Sequence, residues 1–347
     1  MKRNIQRILN VLKDPHKKPL LIILKDVLQL WVIKKEFPLY YFGRFFYRKG
    51  AQDPKNFMNL REYNKIVENL VFENNKTPEL SLTLDDKLKF YKLCKTYGIP
   101  TAEVLSFNRK NSFHYNNAIL NIETPKALEA LLLKICEERN LSTLFLKPID
   151  ENSGKGIIKI EKNSIYINQF WDYIITSNYV IQKTVIQHPE INRIYAKSVN
   201  TMRLETFTDK EGTFNFLGHY MRFGSNGNFV DNVNQGGVYV NIDLKTGTLS
   251  KYAETNLVLG GKTFNKHPDT GVAFENFKIP FFQEAIELVK KASYYFPTYI
   301  QAWDVVITPN GPLLLEGNNY PSMITGEYSY GGYKNKPEVF KELLAAR

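Results

Sequence analysis

Asp304 and Glu316 stand inside apolar sequence, where a carboxylate needs something to bind it. Residues 300–322 contain two apolar runs on either side of Pro309-Asn310-Gly311. That spacing predicts a hairpin with a three-residue loop and glycine in the left-handed position. Taking Thr308 opposite Pro312 sets Asp304 directly across from Glu316, and side-chain alternation puts Asn318 on the same face. Like charges directly opposite one another destabilise a sheet, and burying either one unpaired costs several kcal/mol more. A hard divalent cation removes both problems. Mg²⁺ takes one or two carboxylates and fills its shell with water and phosphate oxygens, and Asn318 adds a neutral carbonyl oxygen. The competing reading is an exposed face on which both acids point to water. The apolar character of residues 303–306 and 313–315 argues against it.

A metal–phosphate site also needs cations and backbone amides. Lys147 ends the apolar run Phe145-Leu146-Lys147-Pro148, and Asn152-Ser153-Gly154-Lys155-Gly156 follows as a glycine-containing loop. Such a loop either folds N–H groups over phosphates or is an ordinary turn between strands. It is not a Walker loop, and no GxGxxG occurs elsewhere. Arg203 and Arg222 lie within strand-like segments, where an arginine is either ion-paired or bound to an anion. Val233-Asn234-Gln235-Gly236-Gly237 is a further turn that either faces an anion or simply reverses the chain. Other chemistries find no candidates. His16, His114, His188, His219 and His267 lack zinc spacing, there is no GxSxG elbow, and Cys94 and Cys136 have no local partner.

The elements that must position these groups change character along the chain. Residues 20–34 follow Pro19 with helical periodicity, and residues 35–50 mix Lys and Arg with Tyr and Phe. Thr83-x-x-Asp86 predicts a helix start, with Tyr97-Gly98 and Pro100 ending it. Thr124-Pro125 predicts a second helix to about Arg139. Residues 143–149, 157–161, 179–184, 201–208, 214–223 and 237–244 read as strands. A helix at about 281–295 precedes the final hairpin, and a short helix starts at Pro337. The expected class is α+β, with two sheet-containing lobes and a helical N-terminal extension. The expected division is 1–80, 81–185 and 186–347.

The net charge of +11 is concentrated, because residues 1–50 hold twelve Lys/Arg against three Asp/Glu. The remainder is nearly neutral and carries no nucleic-acid-binding motif, so nucleic acid is not an expected partner. Two cysteines in apolar helical patterns fit a reducing compartment. The apolar run 20–33 is broken by Lys25 and Asp26 and is too short to span a bilayer. The expected location is cytoplasmic. The basic block reads either as a helical cap on the main body or as an arm on the inner membrane face, its aromatics inserting and its cations meeting headgroups.

Taken in order, these residues resemble the ATP-grasp superfamily. The resemblance rests on Asp86-Lys87, Lys147-Pro148 with Ser153-Gly154-Lys155-Gly156, Val180-Ile181-Gln182-Lys183, Asn200-Thr201-x-Arg203, and Asp304 with Glu316-x-Asn318. The runs from Gln187-His188-Pro189-Glu190 to Arg203, and Asn234-Gln235-Gly236-Gly237, are similar to the sugar-transfer-associated branch found with polysaccharide-synthesis genes. The likeness covers about residues 80–330. It implies two lobes gripping ATP. Lys87 and Lys147 would contact phosphates, and Ser153 to Gly156 would form the lid. Gln182, Lys183, Thr184 and Val185 would form the hinge against adenine. The hinge usually begins with Glu, and here it begins with Gln182. Glu190 would lie near the ribose, with Gln187 as a rival. Arg203 and Arg222 would neutralise the transferred phosphoryl group, and Asp304, Glu316 and Asn318 would hold two Mg²⁺ ions. The implied reaction joins a small-molecule or glycan carboxylate to an amine through an acyl-phosphate. Phosphate transfer to a sugar hydroxyl and a non-catalytic scaffold are the other readings.

Overall fold

A proline or a side-chain cap starts several of the helices, and leucines recur on their buried faces. The computed structural model describes residues 9–74, 83–151, 156–208, 213–256, 261–296, 300–319 and 321–333. Helix α1 (Leu20–Lys34) starts after Pro19; the short α2 (Leu39–Gly43) and α3 (Leu60–Asn74) follow. Helix α4 spans Lys87–Thr96. Its cap is Asp86 rather than Thr83: the Asp86 carboxylate accepts from the amides of Leu88 and Lys89 at 2.9 Å each. Helix α5 (Pro125–Glu138) has the expected Thr124 cap, which accepts from Ala127 N at 3.2 Å. It buries Leu128, Leu131, Leu132 and Ile135 along one stripe. Later come α6 (Trp171–Thr176), α7 (Pro189–Ile194), α8 (Phe282–Tyr295) and α9 (Met323–Tyr330). The helix expected from Pro337 lies outside the described residues.

The strands form two antiparallel sheets. The first is built from β1 (Val104–Arg109), β2 (Ser112–Tyr115), β3 (Ala118–Asn121), β4 (Thr143–Pro148), β5 (Ile158–Glu161) and β6 (Tyr179–Lys183), in the order β3-β2-β1-β6-β4-β5. Helix α5 covers it, and their side chains make one core. The second contains β7 (Met202–Thr208), β8 (Phe214–Phe223), β9 (Val238–Asp243), β10 (Thr248–Glu254), β11 (Thr263–Phe264), β12 (Ile300–Thr308) and β13 (Gly311–Asn318). Their order is β11-β10-β9-β8-β7-β12-β13, and α8 packs on this sheet around Trp303 and Phe296. Strands β1 to β3 and β10 to β11 were not expected from the sequence.

The final hairpin differs from its expected loop. Thr308 pairs with Gly311, so the turn has two residues, Pro309 and Asn310, and the first pairs are one residue out of the expected register. Val305 pairs with Leu314 and Asp304 with Glu316. Leu315 is therefore an extra residue, a bulge that brings the expected Asp304–Glu316 pairing back.

The N-terminal block packs on the second sheet's side of the molecule. Tyr41, Phe46 and Tyr47 are wholly buried with Phe57. Phe46 meets the rings of Phe57 and Tyr328 at 4.4 and 6.0 Å. Arg44 pairs with the buried Glu327, and Arg48 with Asp14 at 2.7 Å. This corrects one expectation: the rings of residues 41 to 47 fill a core, with Arg44 and Arg48 held in ion pairs, and do not insert into a membrane. Removing one partner of such a pair would leave the other charge buried, which keeps the segment in place.

Candidate active site

Strand register assembles the charged groups. In β8, β7, β12 and β13, Tyr220 pairs with Arg203, Arg203 with Asp304, and Asp304 with Glu316. Directly paired residues share a face, so these four side chains form one row across the sheet. Arg222 and Asn318 lie two residues along β8 and β13, on the same face. The row lines a cleft of about 890 Å³ whose other wall comes from the first sheet, including Lys147 on β4 and Gln182 on β6.

The electrostatics of the row are asymmetric. Arg203 Nε approaches Asp304 Oδ1 at 2.6 Å, and Arg222 donates an NH2 hydrogen to Asp304 Oδ2 at 2.7 Å. Burial opposes the ionisation of Asp304, but the two guanidiniums outweigh it and hold the carboxyl below its usual range. Glu316 goes the other way: burial and the facing Asp304 raise it, with Lys87 only partly offsetting them. The two acids are thus pushed in opposite directions. Arg222 is further fixed by Thr201 Oγ1 at 2.5 and 3.0 Å and by Asp231 at 3.4 Å. Asp231 also accepts from Thr201 N at 2.9 Å.

The donor set suits a hard cation. Two carboxylates and an amide converge, and Asn318 Nδ2 is buried with no hydrogen-bond partner. An amide not anchored through its nitrogen can turn its oxygen to the cleft. The close contact of Arg203 Nε with Asp304 Oδ1 is charge against charge, since neither atom has an aligned hydrogen bond. A long Arg203 Nη2 hydrogen bond to Asp304 Oδ2, at 3.4 Å, adds to that attraction. Among the described residues, no group of three His, Cys, Asp or Glu could hold a metal, so a cation here would have Asp304 and Glu316 as its carboxylates and Asn318 as a neutral donor.

Across the cleft, Lys147 is pushed down to about 8, mainly by burial, with Lys87 adding repulsion and Glu316 and Asp304 opposing both. Burial also lowers Lys87, whose backbone N–H donates to Ile149 O at 3.0 Å and whose Nζ reaches Glu151 O. A polyphosphate held against Lys147 would favour its charged form, so binding would take up protons. Affinity for a magnesium nucleotide is then expected to weaken as pH rises through about 8. Titration calorimetry in two buffers of different ionisation enthalpy measures that uptake. A pH-independent affinity would remove Lys147 from the binding site.

The hinge expectation converges on the same place. Gln182 is 5% exposed, its Oε1 has no partner, and Lys183, Thr184 and Val185 line the cleft beside it. Thr184 Oγ1 donates to Thr143 O at 2.8 Å, tying the hinge to β4. Glu190 lies elsewhere: it is not part of the cleft wall and pairs with Arg193 at 2.5 Å on an exposed turn. Its rival Gln187 lines the cleft but is engaged structurally, since Oε1 accepts from Asn200 N at 2.6 Å. Ser153, Gly154 and Lys155 lie outside the described residues. Gly156 is described, with φ +67, beside Pro148.

Sequence reading missed Asp231, Glu205 and Asn192. Asp231 sits in a polar loop, and no local signal ties it to Arg222. Glu205 shares the Arg203 face of β7 and is wholly buried, and burial pushes it up to about 8 although Arg203 opposes this. Asn192 lines the cleft and accepts from Gln187 Nε2 at 2.8 Å. Its only sequence signal was its place in the first turn after His188-Pro189.

The chain matches the family model of sugar-transfer associated ATP-grasp proteins over residues 68–332. It belongs to that family. The matched region takes in both sheets and every described residue of the charged row. No curated protein matches this ATP-grasp chain. Among solved structures, D-alanyl-alanine synthetase A from Vibrio cholerae O1 biovar eltor is similar at 12% identity, covering 77% of this chain and 66% of its own, with a TM-score of 0.47. The VanG D-Ala:D-Ser ligase from Enterococcus faecalis is similar at 16% identity, covering 76% and 62%, with a TM-score of 0.42. N5-carboxyaminoimidazole synthase from Aspergillus clavatus, in complex with ADP and 5-aminoimidazole ribonucleotide, is similar at 12% identity, covering 75% and 53%, with a TM-score of 0.41. This ATP-grasp chain spans between about half and two thirds of the lengths of those structures.

Proposed function

We propose that this protein is an ATP- and magnesium-dependent ligase that joins a carboxylate to an amine, with ADP and phosphate as products, in cell-surface glycan assembly. The observation that carries the reading is the row Arg203–Asp304–Glu316, flanked by Arg222 and Asn318 and facing Lys147 across one cleft. Such a site needs no protein nucleophile or general base, because aligning and neutralising charge is the work of phosphoryl transfer.

Asp304, Glu316 and Asn318 would hold magnesium, which when bound supplies positive charge to the phosphate oxygens. Lys147 and Lys87 draw the triphosphate to the first sheet, and Gln182 Oε1 accepts an N–H from the base. The substrate carboxylate attacks the γ-phosphorus, the bond to the bridging β–γ oxygen breaks, and ADP leaves. Arg203 swings its charge from Asp304 to the transferred group, while Arg222, fixed by Thr201 and Asp231, keeps its place. The amine then attacks the acyl carbon, phosphate leaves, and the surplus amine proton goes to solvent.

Incubation with Mg-ATP, candidate amino and uronic acids and hydroxylamine tests this reading. The expected result is ADP release with a hydroxamate that forms only when a carboxylate acceptor is present. ADP release with a phosphorylated sugar hydroxyl and no hydroxamate would replace the ligase by a phosphotransferase. An absence of Mg-nucleotide binding would leave a non-catalytic scaffold.

A further inference from the structure

Outside the cleft, the feature with no role so far is the outer flank of α1. The helix turns Ile23, Val27 and Leu30 inward. Leu20, Leu24, Leu28 and Trp31 recur at i, i+4, i+8 and i+11. With Leu21 and Val32 they make an apolar stripe in which every residue is between 50% and 81% exposed. Phe37 continues it, its ring edge against Trp31 at 5.7 Å. Contiguous apolar surface of this kind marks an interaction site. It does not mark a crossing, because no helix among the described residues is long and apolar enough to span a membrane.

Charge identifies the occupant. Lys25 is exposed on the helix beside the stripe, Lys35 at its C-terminal end, and Lys13 ahead of it. The acids of this block are engaged internally: Asp14 with Arg48, Asp26 with Lys18, and Glu36 accepting from Arg61 N. Among the described residues of this block, Glu36 is a part-exposed acid at the end of the stripe, and the exposed Lys13, Lys25 and Lys35 outnumber it. A two-fold interface between copies would set these lysines against each other. An anionic lipid surface accepts both features, with Leu and Trp entering the headgroup–acyl boundary and ammonium groups meeting lipid phosphates.

We propose that α1 seats this protein on the surface of an anionic bilayer, the Leu20–Val32 flank inserted and Lys25 and Lys35 against the headgroups. Helix α1 leads through a short connection into Gly43, Arg44 and Phe45, which line the cleft, so docking also fixes the cleft relative to the lipid. The proposal stands independently of the ligase reading.

Flotation of the full chain with vesicles tests it. Wild type is expected to float with phosphatidylcholine–phosphatidylglycerol vesicles and not with phosphatidylcholine alone. Trp31 fluorescence should shift to the blue. The double variant Leu21→Glu/Val32→Glu changes two exposed side chains and should fold with an unchanged thermal midpoint, yet bind anionic vesicles at least about tenfold more weakly. Lys25→Glu/Lys35→Glu should lose most of the preference for anionic lipid and its salt dependence. Failure of wild type to float, or equal binding by the folded apolar variant, overturns the proposal. A wild-type dimer in solution that Leu21→Glu/Val32→Glu dissociates, with no vesicle binding, would overturn it in favour of an interface between copies.

Discussion

Glu316→Gln is expected to lower turnover by roughly 10³-fold or more while leaving the fold intact or slightly more stable. The two effects part because Glu316 is a poor structural residue. Burial and the facing Asp304 raise its carboxyl, so folding works against its ionised form. An amide of the same shape removes the repulsion between directly opposed acids. Without the second carboxylate, however, Asp304 and Asn318 cannot balance a divalent cation and a triphosphate. The pH dependence provides an independent check. A carboxyl raised in the folded state adds stability that is complete below the unfolded value and is lost as pH rises through the folded one. Wild type should therefore lose this increment at rising pH, and Glu316→Gln should not. Asp304 is lowered, so its contribution is present above the unfolded value and vanishes only in acid. Thermal melts across pH, together with Mg-ATP turnover, decide the matter. Turnover within about threefold of wild type would mean the metal lies elsewhere.

Arg203→Ala is expected to cost about 10³-fold in kcat with a modest change in KM, because its charge is needed most as the phosphoryl group transfers. Its stability cost should be small. Asp304 keeps the 2.7 Å bond to Arg222, so no buried charge is orphaned. Arg222→Ala provides the contrast: Asp304 keeps Arg203, but Asp231 loses the ion pair that balances its buried charge, and the fold should weaken by about 3–5 kcal/mol. Arg203→Lys keeps the charge but not the planar fork, and should recover only part of the rate. If Arg203→Ala raised KM alone, with kcat intact, the residue would serve ground-state binding. If it melted like Arg222→Ala, it would be part of the structural network.

The two opposed acids were legible because their geometry is local. Asp304 and Glu316 are joined by one hairpin, so a turn signal and strand alternation suffice to set them opposite each other. Even there the agreement hid two departures. The loop is one residue shorter than expected, and the Leu315 bulge compensates for it. A one-residue slip without that bulge would have turned Glu316 away from Asp304. Strands β1 to β3 were not legible, since they are short and turn through Lys110 and through Asn116-Asn117, all with positive φ. These turns interrupt the alternation before it becomes long enough to read.

The sequence by itself determined the residue types, the cap at Thr124, the helix over residues 20–34, and the hairpin that opposes two acids. Tertiary structure alone decided that Arg203, a hundred residues earlier in the chain, lies between Tyr220 and Asp304, because strand order depends on which sheet faces bury together. It also decided that Lys147 faces this row from another sheet, that Glu190 turns outward to Arg193, and that α1 buries Ile23, Val27 and Leu30 while Leu21 and Val32 face outward. Periodicity marks the faces of an element, but only packing against distant elements chooses which face is covered.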